Sequence, residues 1–107
     1  MPLALRNLLA AAALFLAACG LSTVGHPCTT NAECGNPWTC YTNAPGGLCT
    51  RGCDQEGTGK DCPGGTVCAS SSGGLVCAVI CQSAGECRAE YDCTQVAGGG
   101  KMACTAK

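Results

Sequence analysis

Cys62-Pro-Gly-Gly-Thr-Val-Cys68-Ala-Ser-Ser-Ser-Gly-Gly-Leu-Val-Cys77 is the stretch that decides the fold. Eight residues separate Cys68 from Cys77, and the pair Gly73-Gly74 lies near their middle. Glycine reaches positive backbone φ without steric cost, which tight antiparallel turns require. The segment therefore predicts a short β-hairpin whose strands run through Cys68 and Cys77. Tyr41 to Leu48, with Gly46-Gly47, and Thr94 to Ala103, with Gly98-Gly99-Gly100, stand between Cys40 and Cys49 and between Cys93 and Cys104 in the same way.

Read outward from there, the cysteines fall into three sets of four: Cys28-Cys34-Cys40-Cys49, Cys53-Cys62-Cys68-Cys77 and Cys81-Cys87-Cys93-Cys104. Short joints, Thr50-Arg51-Gly52 and Ala78-Val79-Ile80, separate the sets. The period is roughly 25 to 28 residues, so the chain reads as tandem repeats. Their expected bounds are 28–49, 53–77 and 81–107. Within each repeat the half before the hairpin, such as Thr29 to Glu33 or Asp54 to Asp61, is polar and predicts a loop or a single helical turn.

Large apolar residues beyond Cys19 are few and scattered, and a chain this short and Gly-rich needs cross-links in place of a continuous core. The expected fold class is thus small and disulfide-rich, mostly irregular with short β-hairpins, in three tandem four-Cys repeats. Four cysteines allow three pairings per repeat. The pairing chosen is first to third and second to fourth, because it ties the polar loop to the hairpin, whereas third to fourth would only staple the hairpin to itself. Loops of this size correspond to about 3 kcal/mol each in the chain-entropy picture. The expected architecture is a string of modules, each touching its sequence neighbour, with the second and third coupled more firmly through the apolar Val79-Ile80 joint.

The start of the chain carries an address. Residues 1–18 combine Arg6, an apolar run from Leu8 to Ala18 and small residues before a cut, the three parts of a secretory signal peptide, with a helix expected from Leu5 to Ala18 in the precursor. Leu16-Ala17-Ala18-Cys19 resembles the bacterial lipobox. That resemblance implies a mature lipoprotein whose Cys19 carries diacylglycerol and an acylated amine, followed by a tether over 19–27. Gly20, where an inner-membrane lipoprotein carries Asp, points to the outer membrane. The chain has 13 cysteines, and setting Cys19 aside leaves an even twelve, as a disulfide framework in an oxidising, extracytoplasmic compartment requires.

Cys62-Pro-Gly-Gly-Thr-Val-Cys68, with the spacing around it, resembles the small disulfide modules of the Dickkopf/colipase-like and EGF-like type and the Cys-rich surface lipoproteins that use similar repeats. The resemblance implies binding, adhesion or signalling rather than one shared chemistry, and no functional residue transfers from it.

Other chemistries are poorly matched. Structural zinc sites use cysteine pairs two to four residues apart, often completed by histidine. Here the short gaps are isolated Cys-x3-Cys joints, and the one histidine, His26, reads as a solvated tether residue. No Cys-x-x-Cys pair offers redox exchange. Asp54, Glu56 and Asp61 read as a solvated acidic loop rather than a calcium loop, whose ligands alternate more tightly. No cofactor, metal or catalytic set is expected. Loss of Arg6 with the signal leaves five basic residues against seven acidic, which argues against nucleic acid or an anionic lipid surface as partner.

Trp38, Thr66 and Tyr91 each stand two residues before a third cysteine. Trp38 and Tyr91 serve either to cover a disulfide or, at Trp38 above all, as an exposed aromatic contact for a partner. The functional expectation is a non-catalytic, membrane-anchored surface lipoprotein of the cell envelope that binds an envelope or extracellular protein, through Trp38 and the Gly-rich hairpin tips. The alternative is a disulfide-scaffold protease inhibitor or other secreted effector, with Arg51 or Lys60 as anchoring side chain on a pre-organised loop.

Overall fold

A computed structural model describes residues 23–107. The expected signal peptide with its helix, Cys19 and the first residues of the tether lie outside the described residues. Six strands form, β1 (Thr39–Tyr41), β2 (Leu48–Thr50), β3 (Thr66–Ser71), β4 (Gly74–Val79), β5 (Tyr91–Gln95) and β6 (Met102–Ala106). They pair as three antiparallel two-stranded sheets, β1-β2, β3-β4 and β5-β6. The fold is small and disulfide-rich, with one short hairpin per repeat.

Register puts Cys40 opposite Cys49, Cys68 opposite Cys77 and Cys93 opposite Cys104. Residues directly opposite in an antiparallel pair share a face, yet these neighbours are not bonded to each other. Each reaches back into the first half of its repeat: Cys28–Cys40, Cys34–Cys49, Cys53–Cys68, Cys62–Cys77, Cys81–Cys93 and Cys87–Cys104. The pairing is crossed in every repeat.

The β3-β4 turn differs in one detail from the sequence expectation. Ser71 pairs with Gly74, so the turn residues are Ser72 and Gly73, with φ of 52° and 85°. Gly74 begins β4 and is not a turn glycine. Two successive positive φ values match the right-handed twist of the flanking strands, the reason such turns dominate two-residue hairpins.

The first halves of repeats 1 and 3 each contain one 3-10 turn, Asn31–Glu33 and Ala84–Glu86. Both follow the same local logic. Extended Thr30 and Ser83 precede the turns, and the Glu33 and Glu86 carboxylates fold back to accept the backbone N–H groups of Thr30 and Ser83, each at 3.0 Å. The Asn31 side chain then accepts from the Cys40 N–H at 2.8 Å and ties its turn to β1.

The joints are tied to the hairpins. Gly52 makes a single bridge to Val76 of β4, and Ile80 one to Ala103 of β6, so each joint touches the hairpin that follows it. Val67, Ala69, Ala78, Val96 and Ala103 form one apolar cluster between repeats 2 and 3, with Ile80 against it. This cluster lies at the Val79-Ile80 joint, where the firmer coupling is expected. Repeats 1 and 2 are linked instead by a buried hydrogen bond from the Thr50 hydroxyl to the Cys77 carbonyl.

The beads-on-a-string expectation is corrected. Ala44 and Leu48 of repeat 1 pack with Tyr91 of repeat 3, with Tyr41, Cys87, Cys104 and Ala106 around them. The three hairpins close on one another because apolar residues too few to serve each repeat separately are pooled at the junctions.

Candidate functional site

The junction of the repeats is organised by Arg88 and Tyr91. Arg88 Nη1 donates to the carbonyls of Gly47 at 2.8 Å and Gly25 at 3.3 Å, and Nη2 donates to that of Pro45 at 3.1 Å. A planar guanidinium can serve several acceptors at once, which a lysine ammonium on its flexible stem does less well. The Arg88 guanidinium also lies over the Tyr91 ring, 4.9 Å from its centre, and 3.8 Å from the Glu90 carboxylate. Tyr91, only 3% exposed, donates its hydroxyl to the Pro45 carbonyl at 2.9 Å. Burial raises the Tyr91 phenol above its ordinary pKa; Arg88 opposes this and Glu90 adds to it. Of the two roles open to Tyr91 at the outset, covering a disulfide fits best: Cys87 and Cys104 lie beside it.

Beneath this clasp is a mainly apolar cavity of about 170 Å³ whose walls include Val24, Leu48, Val79 and Tyr91, with His26 and Glu86 among its polar lining. All three repeats contribute to it, as does the segment just before Cys28. That segment was expected as part of a tether over 19–27, and its second half is docked. Gly25 N–H donates to the Cys49 carbonyl, Cys49 N–H to the His26 carbonyl, and the Thr23 hydroxyl to the Cys34 carbonyl. Val24 is 5% exposed. Neither Val24 nor Arg88 stands out in the sequence, because neither lies at a repeating position relative to the cysteines.

Trp38 packs, half-buried, against Cys28, Cys34, Cys40 and Cys49. It covers the two disulfides of repeat 1 and leaves part of its ring at the surface. Thr66, the equivalent residue of repeat 2, is buried and donates its hydroxyl to the Pro63 carbonyl at 2.7 Å.

The Gly-rich tips differ in accessibility. At Gly47 a Cβ would overlap the Cys28 carbonyl oxygen, and at Gly99 it would overlap the Gly57 carbonyl, so the tips of repeats 1 and 3 are each packed on other backbone. A Cβ at Gly73 or Gly74 would meet nothing within 4 Å. Only the tip of repeat 2 presents both of its glycines to open space.

In repeat 2, Asp54, Glu56, Lys60 and Asp61 are exposed. Arg51 is exposed as well, but its carbonyl accepts from the Cys77 N–H at 3.0 Å, which holds its backbone against β4. Among the described residues, the metal-ligand types that converge are cysteines: three per repeat, such as Cys28, Cys34 and Cys40, have sulfurs within 4.8 Å of one another. All of them are in disulfides. A disulfide sulfur has no thiolate to donate, so this convergence is the stacking of two crossed bonds in each repeat.

The Glu33 carboxylate accepts from the Thr29 hydroxyl and N–H, both at 2.7 Å, and from the Thr30 N–H. These bonds, led by the Thr29 hydroxyl, lower its pKa to about 2. Its role is to fix the first turn of repeat 1.

The arrangement is that of a Cys-rich disulfide module built from repeated four-cysteine units. Compared with known proteins, the chain gives no significant match to a family model, a curated protein or a solved structure.

Proposed function

We propose that this protein is a lipid-anchored, non-catalytic interaction module of the bacterial cell envelope: its signal peptide over 1–18 is removed, Cys19 is lipidated, and the repeats face the extracytoplasmic side, at the outer membrane. The single observation that best supports the reading is the set of six crossed disulfides. Such a density belongs to chains folded in an oxidising compartment, and it holds exposed loops in fixed positions, which lowers the entropy lost on binding. The contact points are the exposed part of Trp38 and the open hairpin tip at Gly73-Gly74, and the partner is an envelope or extracellular protein near the membrane.

Mass spectrometry of the membrane-extracted protein tests the anchor: the expected amino terminus is a diacylated, N-acylated Cys19, and a free Cys19 thiol overturns it. For the partner, envelope extract is passed over the protein bearing wild-type Trp38 or Trp38→Ala, with the disulfide map of the variant checked. A specific envelope protein retained by the former and lost by the correctly bonded variant supports the reading, whereas inhibition of a protease by the purified protein favours the inhibitor alternative.

A further inference from the structure

Three features converge on repeat 1. The first is the length of the anchor. Thr23 to His26 are bonded to the body, and the Thr23 hydroxyl is fixed on the Cys34 carbonyl at 2.8 Å. Only the four Cα steps from Cys19 to Thr23 lie between a lipidated Cys19 and this docked point, a reach of at most about 14 Å. Repeat 1 is therefore the part of the protein nearest the lipid.

The second is charge. From Thr23 to Thr50 the one formally charged side chain is the exposed Glu33, one oxygen of which accepts from four donors of Thr29 and Thr30. The other charged side chains of the described residues lie from Arg51 onward in the chain, and of these Arg88 and Glu90 come back against repeat 1 at its Pro45 to Gly47 tip. A charge-poor face loses little hydration against lipid, whereas a charged face loses much.

The third is Trp38, the single tryptophan of the chain. Its ring is half-buried on the cluster that contains Cys34, the residue to which Thr23 is tied, and its backbone N–H, not the indole, donates to the Gly35 carbonyl at 2.9 Å. The surface beside it, Gly35-Asn36-Pro37, is exposed and uncharged. Tryptophan concentrates at the headgroup level of bilayers because one side of its ring is apolar and its N–H needs a polar partner.

We infer that repeat 1 lies on the bilayer with Trp38 at the headgroup level. This rests on the lipid anchor of the proposed function and departs from it at one point: the exposed part of Trp38 meets lipid in place of the protein partner, so loss of a protein partner in Trp38→Ala would count against it. The acidic loop from Asp54 to Asp61 and the tip of repeat 2 are then left as the surface for a protein partner.

Because the chain has one tryptophan, its fluorescence reports on Trp38 alone. The lipidated full chain is reconstituted into phosphatidylcholine vesicles, plain or with brominated acyl chains, and floated. The ratio of emission in the two vesicles cancels the constant quenching by the neighbouring disulfides. The expected result is co-flotation, loss of more than half the emission in brominated vesicles, and weak quenching by iodide. If the protein does not float, the anchor falls and this inference with it. If it floats, but bromine leaves the emission unchanged while iodide quenches it, the anchor stands and the lipid contact is overturned. Shielding of Trp38 from iodide only after envelope protein is added would assign the contact to protein and overturn it as well.

Discussion

Arg88 of repeat 3 donates to the carbonyl of Gly47 in repeat 1 at 2.8 Å, across 41 residues of chain. That bond joins the two repeats that are furthest apart in sequence. With the bonds to Gly25 and Pro45 it converts three linked hairpins into one body.

Replacing Arg88 by Ala is expected to destabilise the protein by about 2–4 kcal/mol, since charge-assisted bonds are lost and carbonyls at the junction are left without a donor. Arg88→Lys is expected to recover only part of this, for want of the planar fork. Denaturant unfolding with the disulfides intact measures the loss. Hydrogen exchange should quicken at the Gly25 and Cys49 amides and leave the β3-β4 amides unchanged.

Acid should act on repeat 1 through Glu33. Its carboxyl is held down at about 2, against an ordinary 4.5. A depressed carboxyl contributes stability that is fully present above the unfolded pKa and is lost as pH falls through the folded one. The 3-10 turn at Asn31–Glu33 is therefore expected to hold at pH 5 and to loosen as pH falls from about 4.5 towards 2. Carboxyl chemical shifts followed by NMR give the Glu33 midpoint directly, and a midpoint near 4.5 would contradict the bonding described.

Gly47 and Gly74 are expected to respond differently to the same substitution. Gly47 has φ of 71° and backbone where a Cβ would go, whereas Gly74 lies in ordinary strand conformation beside open space. Gly47→Ala is expected to cost about 3 kcal/mol or more through strain and overlap. Gly74→Ala is expected to change stability by less than about 0.5 kcal/mol. Paired thermal melts compare the two.

Ser72 is a residue whose replacement should help. It holds φ of 52°, and its hydroxyl is buried without a hydrogen-bond partner. Ser72→Gly removes the left-handed strain of about 1–2 kcal/mol and the unpaired hydroxyl, offset by about 0.5–1 kcal/mol of added chain entropy. The expected outcome is a gain of about 0.5–1 kcal/mol, read as a raised denaturation midpoint.

Much of the fold was legible in the sequence because its determinants are local. The spacing from third to fourth cysteine and the glycines between them place each hairpin, and the polarity of the preceding half suggests a loop or single turn; that Glu33 and Glu86 close those turns is seen only in the structure. Crossed pairing is one of three per repeat: tying loop to hairpin excludes third to fourth, but first to fourth with second to third would tie them as well, and the sequence does not separate those two. The position of the β3-β4 turn was less legible: Ser72 takes a conformation that the neighbouring Gly73-Gly74 pair advertises more strongly, and register moved the turn by one residue.

The sequence by itself determined the repeat, its hairpins and the need for cross-links, since these follow from residues within one period of each other and from an apolar content too small for a core. Only the tertiary structure decided that repeat 1 meets repeat 3, that Thr23 to His26 dock on the body, and that two of the three glycine tips are covered. Those features depend on how the two joints, Thr50-Arg51-Gly52 and Ala78-Val79-Ile80, direct successive hairpins. A single Arg88 far along the chain then fixes the result by reaching carbonyls, and carbonyls are present at every residue and so leave no mark in a sequence.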